Sequence, residues 1–260
     1  MRRAPAVVAA LAWLVPLALN APPAFAGEAE TVPFALRGKE LRLHLYGSPA
    51  GAPVVLASGD GGFVHLAPEV AHFLAGRGLF VVGLDSKAYL SAFTSGSSTL
   101  ATRDVPADFQ ALVERARGGR SGRALLVGVS EGAGLAVLAA SDPRVAAGLD
   151  GVVGLGLPEQ NELGWRFKDS LIYLTKGTPN EPLFRASDFI PKLTLPLAAI
   201  HATQDEFVPL EEARRLMGLP GGPKRLWVVP AGNHRFSDAQ PDFRARLLEA
   251  IAWIGEQHKP

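Results

Sequence analysis

Two hydrophobic rhythms run through the chain. Short, almost wholly apolar runs recur at residues 53–57, 79–84, 124–127, 151–156, 196–202 and 225–230. Runs of this length without a polar side read as strands buried on both faces. Leu41–Tyr46 adds an early strand in which His44 alternates onto one sheet face. Between the strands, apolar residues return at helical spacing over Ala67–Arg77, Ala107–Arg117, Ala133–Ala140 and Asp242–Glu256. Strands alternating with helices predict βαβ units and an α/β fold, with a mostly parallel central sheet covered by helices on both faces. No internal repeat or low-complexity tract interrupts the alternation. Thr94–Ser98 reads as a flexible loop. From about residue 158 to 191 the rhythm is lost, and Trp165, Tyr173, Phe184 and several prolines appear. A connection of that length predicts a small cap or rim over a site, with a surface insertion as the alternative.

The first 26 residues carry a different pattern. Arg2 and Arg3 precede an apolar stretch from Ala4 to Leu19, and Ala24-Phe25-Ala26 is a small-residue cleavage pattern. Pro16 breaks the stretch, which is shorter than the ~20 residues a membrane span needs. The expectation is a cleaved export signal and a periplasmic protein, with residues 27–260 forming one domain. Removing 26 of the 260 residues leaves 234, enough for a single α/β core. Loss of the two arginines takes the formal net charge from +1 to about −1. No basic patch remains, so nucleic-acid binding gains no support. The chain has no cysteine, which excludes disulfides, thiolate metal sites and cysteine lipidation.

Candidate chemistry centres on Gly128-Val129-Ser130-Glu131-Gly132. An apolar strand precedes it and a helix follows, the context in which Gly-x-Ser-x-Gly is a nucleophile elbow. The flanking glycines allow strand and helix backbones to approach closely. A serine hydroxyl is a weak nucleophile and needs a base and a group that orients the base. The loop Thr203–Pro209 after one later strand supplies Asp205, and the loop Ala231–Phe236 after the next supplies His234. Ser130, Asp205 and His234 follow the expected Ser, acid, His order, each at the C-terminal end of a strand. Glu206 is the alternative acid. Of the six histidines, His72 reads as a helix residue, His201 as a satisfied core residue and His258 as part of a polar tail. His65, close after a glycine loop, is a lesser candidate for substrate contact. The loop Ser58-Gly59-Asp60-Gly61-Gly62 offers backbone donors to an oxyanion at Asp60 or Gly61, alongside the N–H of Glu131. No Gly-Lys-Ser/Thr follows this loop, which argues against phosphate cradling. No His-x-x-x-His pair suggests a metal, and no cofactor is expected. Asp60 and Glu131, with Asp85 at the end of the 79–84 strand, are candidate substrate-binding carboxylates that would attract an ammonium group.

These features resemble the α/β-hydrolase superfamily across residues 27–260. The Ser-Gly-Asp-Gly-Gly loop, the strand ending Val82-Gly83-Leu84-Asp85-Ser86 and the elbow together resemble the bacterial VirJ/AcvB virulence-protein family. That resemblance implies an exported hydrolase of aminoacyl esters of phosphatidylglycerol, such as lysyl- or alanyl-phosphatidylglycerol, acting on phospholipid at the periplasmic leaflet. It implies Ser130 as nucleophile, Asp205 as acid and His234 as base. An aromatic residue often follows the serine in that family, whereas this chain has Glu131. Two alternatives stay open: a generic periplasmic carboxylesterase, and a catalytically silent hydrolase fold serving a secretion apparatus as a binding or assembly protein.

Overall fold

The computed structural model describes residues 29–166 and 181–258. The expected signal segment, and residues 167–180 of the expected cap, lie outside the described residues. Ten strands are described. They are β1 (Glu30–Leu36), β2 (Lys39–Tyr46), β3 (Ala52–Ala57), β4 (Leu79–Leu84), β5 (Ala124–Val129), β6 (Leu149–Leu155), β7 (Gln160–Glu162), β8 (Leu183–Arg185), β9 (Leu197–Ala202) and β10 (Lys224–Val229). The helices are α1 (Leu66–Ala75), α2 (Ser86–Ala92), α3 (Val105–Arg117), α4 (Glu131–Ala140), α5 (Pro143–Ala146), α6 (Leu210–Met217) and α7 (Gln240–Glu256). Eight strands form one sheet in the order β1-β2-β4-β3-β5-β6-β9-β10. The strands from β4 to β10 run parallel, and only β1 and β2 are antiparallel to their neighbours. This is the α/β-hydrolase architecture.

The apolar runs work because both sheet faces are covered. Along β3, Val54 and Leu56 join the core beneath α1 and α7, while Val55 and Ala57 join the core beneath α3 and α4. Every residue of β5 and of β9 is buried. Helix α4 is buried on all sides, a position that excludes any polar stripe.

β1 departs from the expected pattern. Its side chains alternate between exposed and half-buried positions, and it pairs with β2 through the turn at Arg37-Gly38. Arg37 leaves that turn with φ 46° and grips Asp108 of α3, with Nε at 2.7 Å and a terminal nitrogen at 2.6 Å. The Tyr89 hydroxyl donates to the same carboxylate at 2.6 Å. Asp108 is 1% exposed, so this cluster joins the edge hairpin to the helical layer through a buried charge with three donors. Asp108→Ala should cost about 2–3 kcal/mol, since the buried Tyr89 hydroxyl loses its acceptor. Urea unfolding measures this; a loss under about 0.5 kcal/mol would show that the cluster contributes little.

Candidate active site

Ser130 lies between β5 and α4 with φ 50° and ψ −117°, a backbone conformation that side chains rarely adopt. The strain follows from crowding. A Cβ on Gly128 would lie 2.3 Å from the Gly132 carbonyl oxygen, and one on Gly132 would lie 2.4 Å from the Ala57 oxygen. Both elbow glycines are therefore required by backbone contact. The Ser130 N–H donates to the Leu155 carbonyl at 2.8 Å, which fixes the turn to the end of β6.

The imidazole of His234 docks on the next residue of that strand end. Gly156, with φ 60°, abuts the ring so closely that a Cβ there would lie 2.4 Å from Cε1. Ser130 and His234 are thus held against consecutive residues, Leu155 and Gly156. His234 Nδ1 meets Asp205 Oδ2 at 2.6 Å. Nε2 is buried and has no hydrogen-bond partner among the described residues. With Nδ1–H donated to the carboxylate, Nε2 is left with a lone pair able to accept a proton.

Asp205 is held tightly. Its Oδ1 accepts from the N–H groups of Phe207 at 3.0 Å and Val208 at 2.9 Å. Burial raises its pKa, but His234 and these two donors outweigh that and hold it below the usual value. His201 lies beneath, with Nε2 3.7 Å from Asp205 and 2.8 Å from the Val208 carbonyl. Burial lowers the His201 pKa, so the core histidine stays neutral and leaves the carboxylate to His234. Glu206, the alternative acid, makes a different contact: it accepts the His234 backbone N–H at 2.7 Å and restrains the loop that carries His234.

Three expected roles change. The Glu131 side chain turns inward, is 6% exposed, and accepts the Glu162 N–H of β7 at 2.7 Å. Burial, then the charges of Glu162 and Asp60, push its pKa well above the usual range, and with its oxygen committed to β7 it is an inward anchor rather than an ammonium contact. Asp85 caps α2 by accepting the Ala88 N–H at 2.9 Å, and its carboxylate lies against Gly62. Asp60 stays half-buried beside His234 and Lys87. Burial raises its pKa, against the Gly61 N–H, His234 and its own N–H. The N–H groups expected to serve as oxyanion donors thus face the Asp60 carboxyl, and among the loop glycines it is Gly59 that lies beside Ser130, with a built Cβ 3.5 Å from Ser130 Cβ. The Glu131 N–H, first in its helix, needs no partner within α4 and remains a donor at the elbow. His65 is exposed and starts α1 from a turn like that of Ser130, with φ 54° and ψ −114°. His44 stacks on Phe63 at 4.3 Å, and His72 lies within α1. Among the described residues no group of three or more metal-ligating side chains occurs.

The described part of the irregular segment packs on the elbow helix. β7 pairs antiparallel with β8, and the Asn161 side chain fills the space beside Gly134. Glu159, ligated by Arg185 at 2.7 Å and Ser187 at 2.6 Å, fastens the strand pair at its base.

Residues 52–155 match the family of the bacterial virulence protein VirJ. The match runs from β3 to the end of β6 and so bears out the expected resemblance over the glycine loop, Asp85 and the elbow. It stops before Asp205 and His234. Solved structures agree with the fold. Est1E from Butyrivibrio proteoclasticus aligns with a TM-score of 0.61 and 16% identity, covering 85% of this chain and 99% of that one. The Pyrococcus furiosus esterase Pf2001 gives 0.63 and 17%, covering 89% and 96%. A dienelactone hydrolase from Anabaena variabilis gives 0.59 and 15%, covering 86% and 95%.

Two outcomes follow from the geometry. Gly156→Ala should push the imidazole off its seat and slow fluorophosphonate labelling of Ser130 by about 100-fold, the scale of a 1 Å misplacement. An unchanged rate would show that Gly156 does not position the base. For Glu131, the folded pKa lies above the usual carboxylate value, so its penalty is absent below the unfolded pKa and grows as pH rises towards the folded one. Glu131→Gln keeps the acceptor and removes the proton equilibrium. Its Tm advantage over wild type should widen as pH rises above the usual carboxylate range; a constant margin would contradict a raised pKa.

Proposed function

We propose that the chain is an exported serine hydrolase that cleaves carboxylic esters by acyl transfer through Ser130, His234 and Asp205. One observation carries the reading. A buried Asp205–His234 pair, 2.6 Å apart, leaves an unpartnered Nε2 on an imidazole docked beside the strained serine elbow. His234 takes the Ser130 proton as the hydroxyl attacks the carbonyl carbon, and Asp205 steadies the imidazolium. The Glu131 N–H stabilises the developing oxyanion, helped by the positive end of α4. A second donor comes from the glycine loop at Gly59, or at Asp60 and Gly61 once the Asp60 carboxyl turns aside. The protonated His234 then gives its proton to the departing alcohol oxygen, and water activated by the same imidazole releases the acyl group. The esterases among the similar folds, although distant in sequence, support this chemistry.

The finer reading is an aminoacyl ester of phosphatidylglycerol at the periplasmic leaflet. The VirJ match supports it, as does the Asp60 carboxyl beside His234, which would attract an ammonium group on the acyl portion. Export to the periplasm rests on the amino-terminal pattern.

Ser130→Ala should cut ester turnover by roughly 10⁴- to 10⁶-fold with its unfolding transition preserved. Retained hydrolysis would remove the nucleophile assignment. Purified protein assayed on lysyl- and alanyl-phosphatidylglycerol, and on an uncharged acyl analogue, tests the substrate. Equal rates on all three mark a generic esterase, and no fluorophosphonate labelling marks a silent binding fold.

A further inference from the structure

Among the described residues three large apolar side chains stand exposed: Val64 at 48%, Leu183 at 38% and Phe207 at 57%. Phe207 is the most exposed and the one with a contact to the candidate machinery. Its ring meets the His234 imidazole edge-to-face, with centroids 5.5 Å apart and planes at 85°. Its position is fixed: the Phe207 N–H is held at 3.0 Å by Asp205 Oδ1, while the other oxygen of that carboxylate holds His234. The backbone that carries the aromatic ring and the imidazole of His234 are thus both anchored on one buried carboxylate. Gly156, which packs against the same imidazole, contributes no side chain, so Phe207 supplies the apolar wall at the base.

Reaction chemistry gives that wall a direction. When the tetrahedral intermediate collapses, the bond between carbonyl carbon and alcohol oxygen breaks. The electron pair goes to the oxygen, and the imidazolium donates its proton there. The departing alcohol must therefore lie on the His234 side of the serine, and the carbon chain beyond its oxygen runs past whatever flanks the imidazole. A solvent-exposed phenyl ring gains from being covered by hydrocarbon and gains nothing from a charged or heavily hydrated group.

We infer that Phe207 forms the leaving-group subsite and that this subsite takes the hydrocarbon of a lipophilic alcohol. The inference rests on the proposed ester hydrolysis. It assigns the alcohol side of the substrate, which the Asp60 carboxyl and the acyl portion do not address. In an aminoacylated phosphatidylglycerol the departing oxygen belongs to the headgroup glycerol, which is hydroxylated and followed by phosphate, so a steep alcohol slope at Phe207 favours the generic carboxylesterase over that substrate.

The test separates this subsite from the activity as a whole. Acetate esters of methanol, butanol and octanol, kept below their aggregation limits, vary the alcohol alone. A second series of methyl esters with acyl chains of two to eight carbons varies the acyl group alone. For wild type, kcat/KM should rise about twofold per methylene along the alcohol series, the yield of a half-covered CH₂. Phe207→Ala should flatten that slope and leave the slope of the acyl series unchanged, and Phe207→Leu should restore most of the alcohol slope. These readouts are slopes, so a general loss of rate does not imitate them. A flat alcohol series in wild type, or an equal slope in Phe207→Ala, overturns the subsite while ester hydrolysis stands. No hydrolysis of any ester and no fluorophosphonate labelling of Ser130 would overturn both.

Discussion

The structure depends on how closely one buried helix approaches one buried strand. Helix α4 has no solvent-facing side, so it must begin against the sheet with only backbone between them. Gly128 and Gly132 make that contact possible, and the chain between them has no room for a relaxed turn. The strain at Ser130 is therefore a consequence of packing and is held in place by the whole hydrophobic layer around α4. A hydroxyl presented this way needs no flexible loop to expose it. The same crowding brings the end of β6 under the elbow, and that strand end seats the imidazole.

Asp205 organises the other half of the site. A fully buried carboxylate would be costly alone, yet this one collects three N–H donors, from Phe207, Val208 and His234. Charge-assisted bonds of this kind order the loop and orient the His234 imidazole together. Glu206 adds a second restraint on the His234 backbone, so two adjacent acids divide the work between side-chain orientation and loop position.

Much of this was legible in the sequence because it depended on burial. Strands covered on both faces must be largely apolar, and β3, β4, β5, β6 and β9 show it, whereas the edge strand β10 begins with Lys224 and Arg225 and is buried only at Trp227 and Val229. Chain order then places Ser130, Asp205 and His234 on one edge of the sheet. What the sequence left unread depended on long-range partners. β1 is half-exposed and carries Pro33, so its strand character comes from pairing with β2. Helices α2 and α6 are seven and eight residues long, about two turns each, so even the amphipathic pattern of α6 at Leu210, Ala213 and Leu216 is too short to stand out. The Glu131 side chain reads as a charge beside the nucleophile because its acceptor role belongs to Glu162, thirty-one positions away. An acid after an elbow serine followed by a glycine-rich helix start is a signal for such an inward anchor, since that helix face has no room for solvent.

The link between the two sequence motifs that point to the VirJ family has a consequence for how such sites change over time. Ser58 Oγ accepts the Ser86 N–H at 3.0 Å, and the Ser58 N–H donates to Leu84 at 3.0 Å. The glycine loop and the strand end bearing Asp85 are therefore one hydrogen-bonded unit assembled from two distant stretches of chain. Transplanting either stretch alone into a related scaffold would strand a donor or an acceptor in the interior. The pair has to be inherited, or engineered, together.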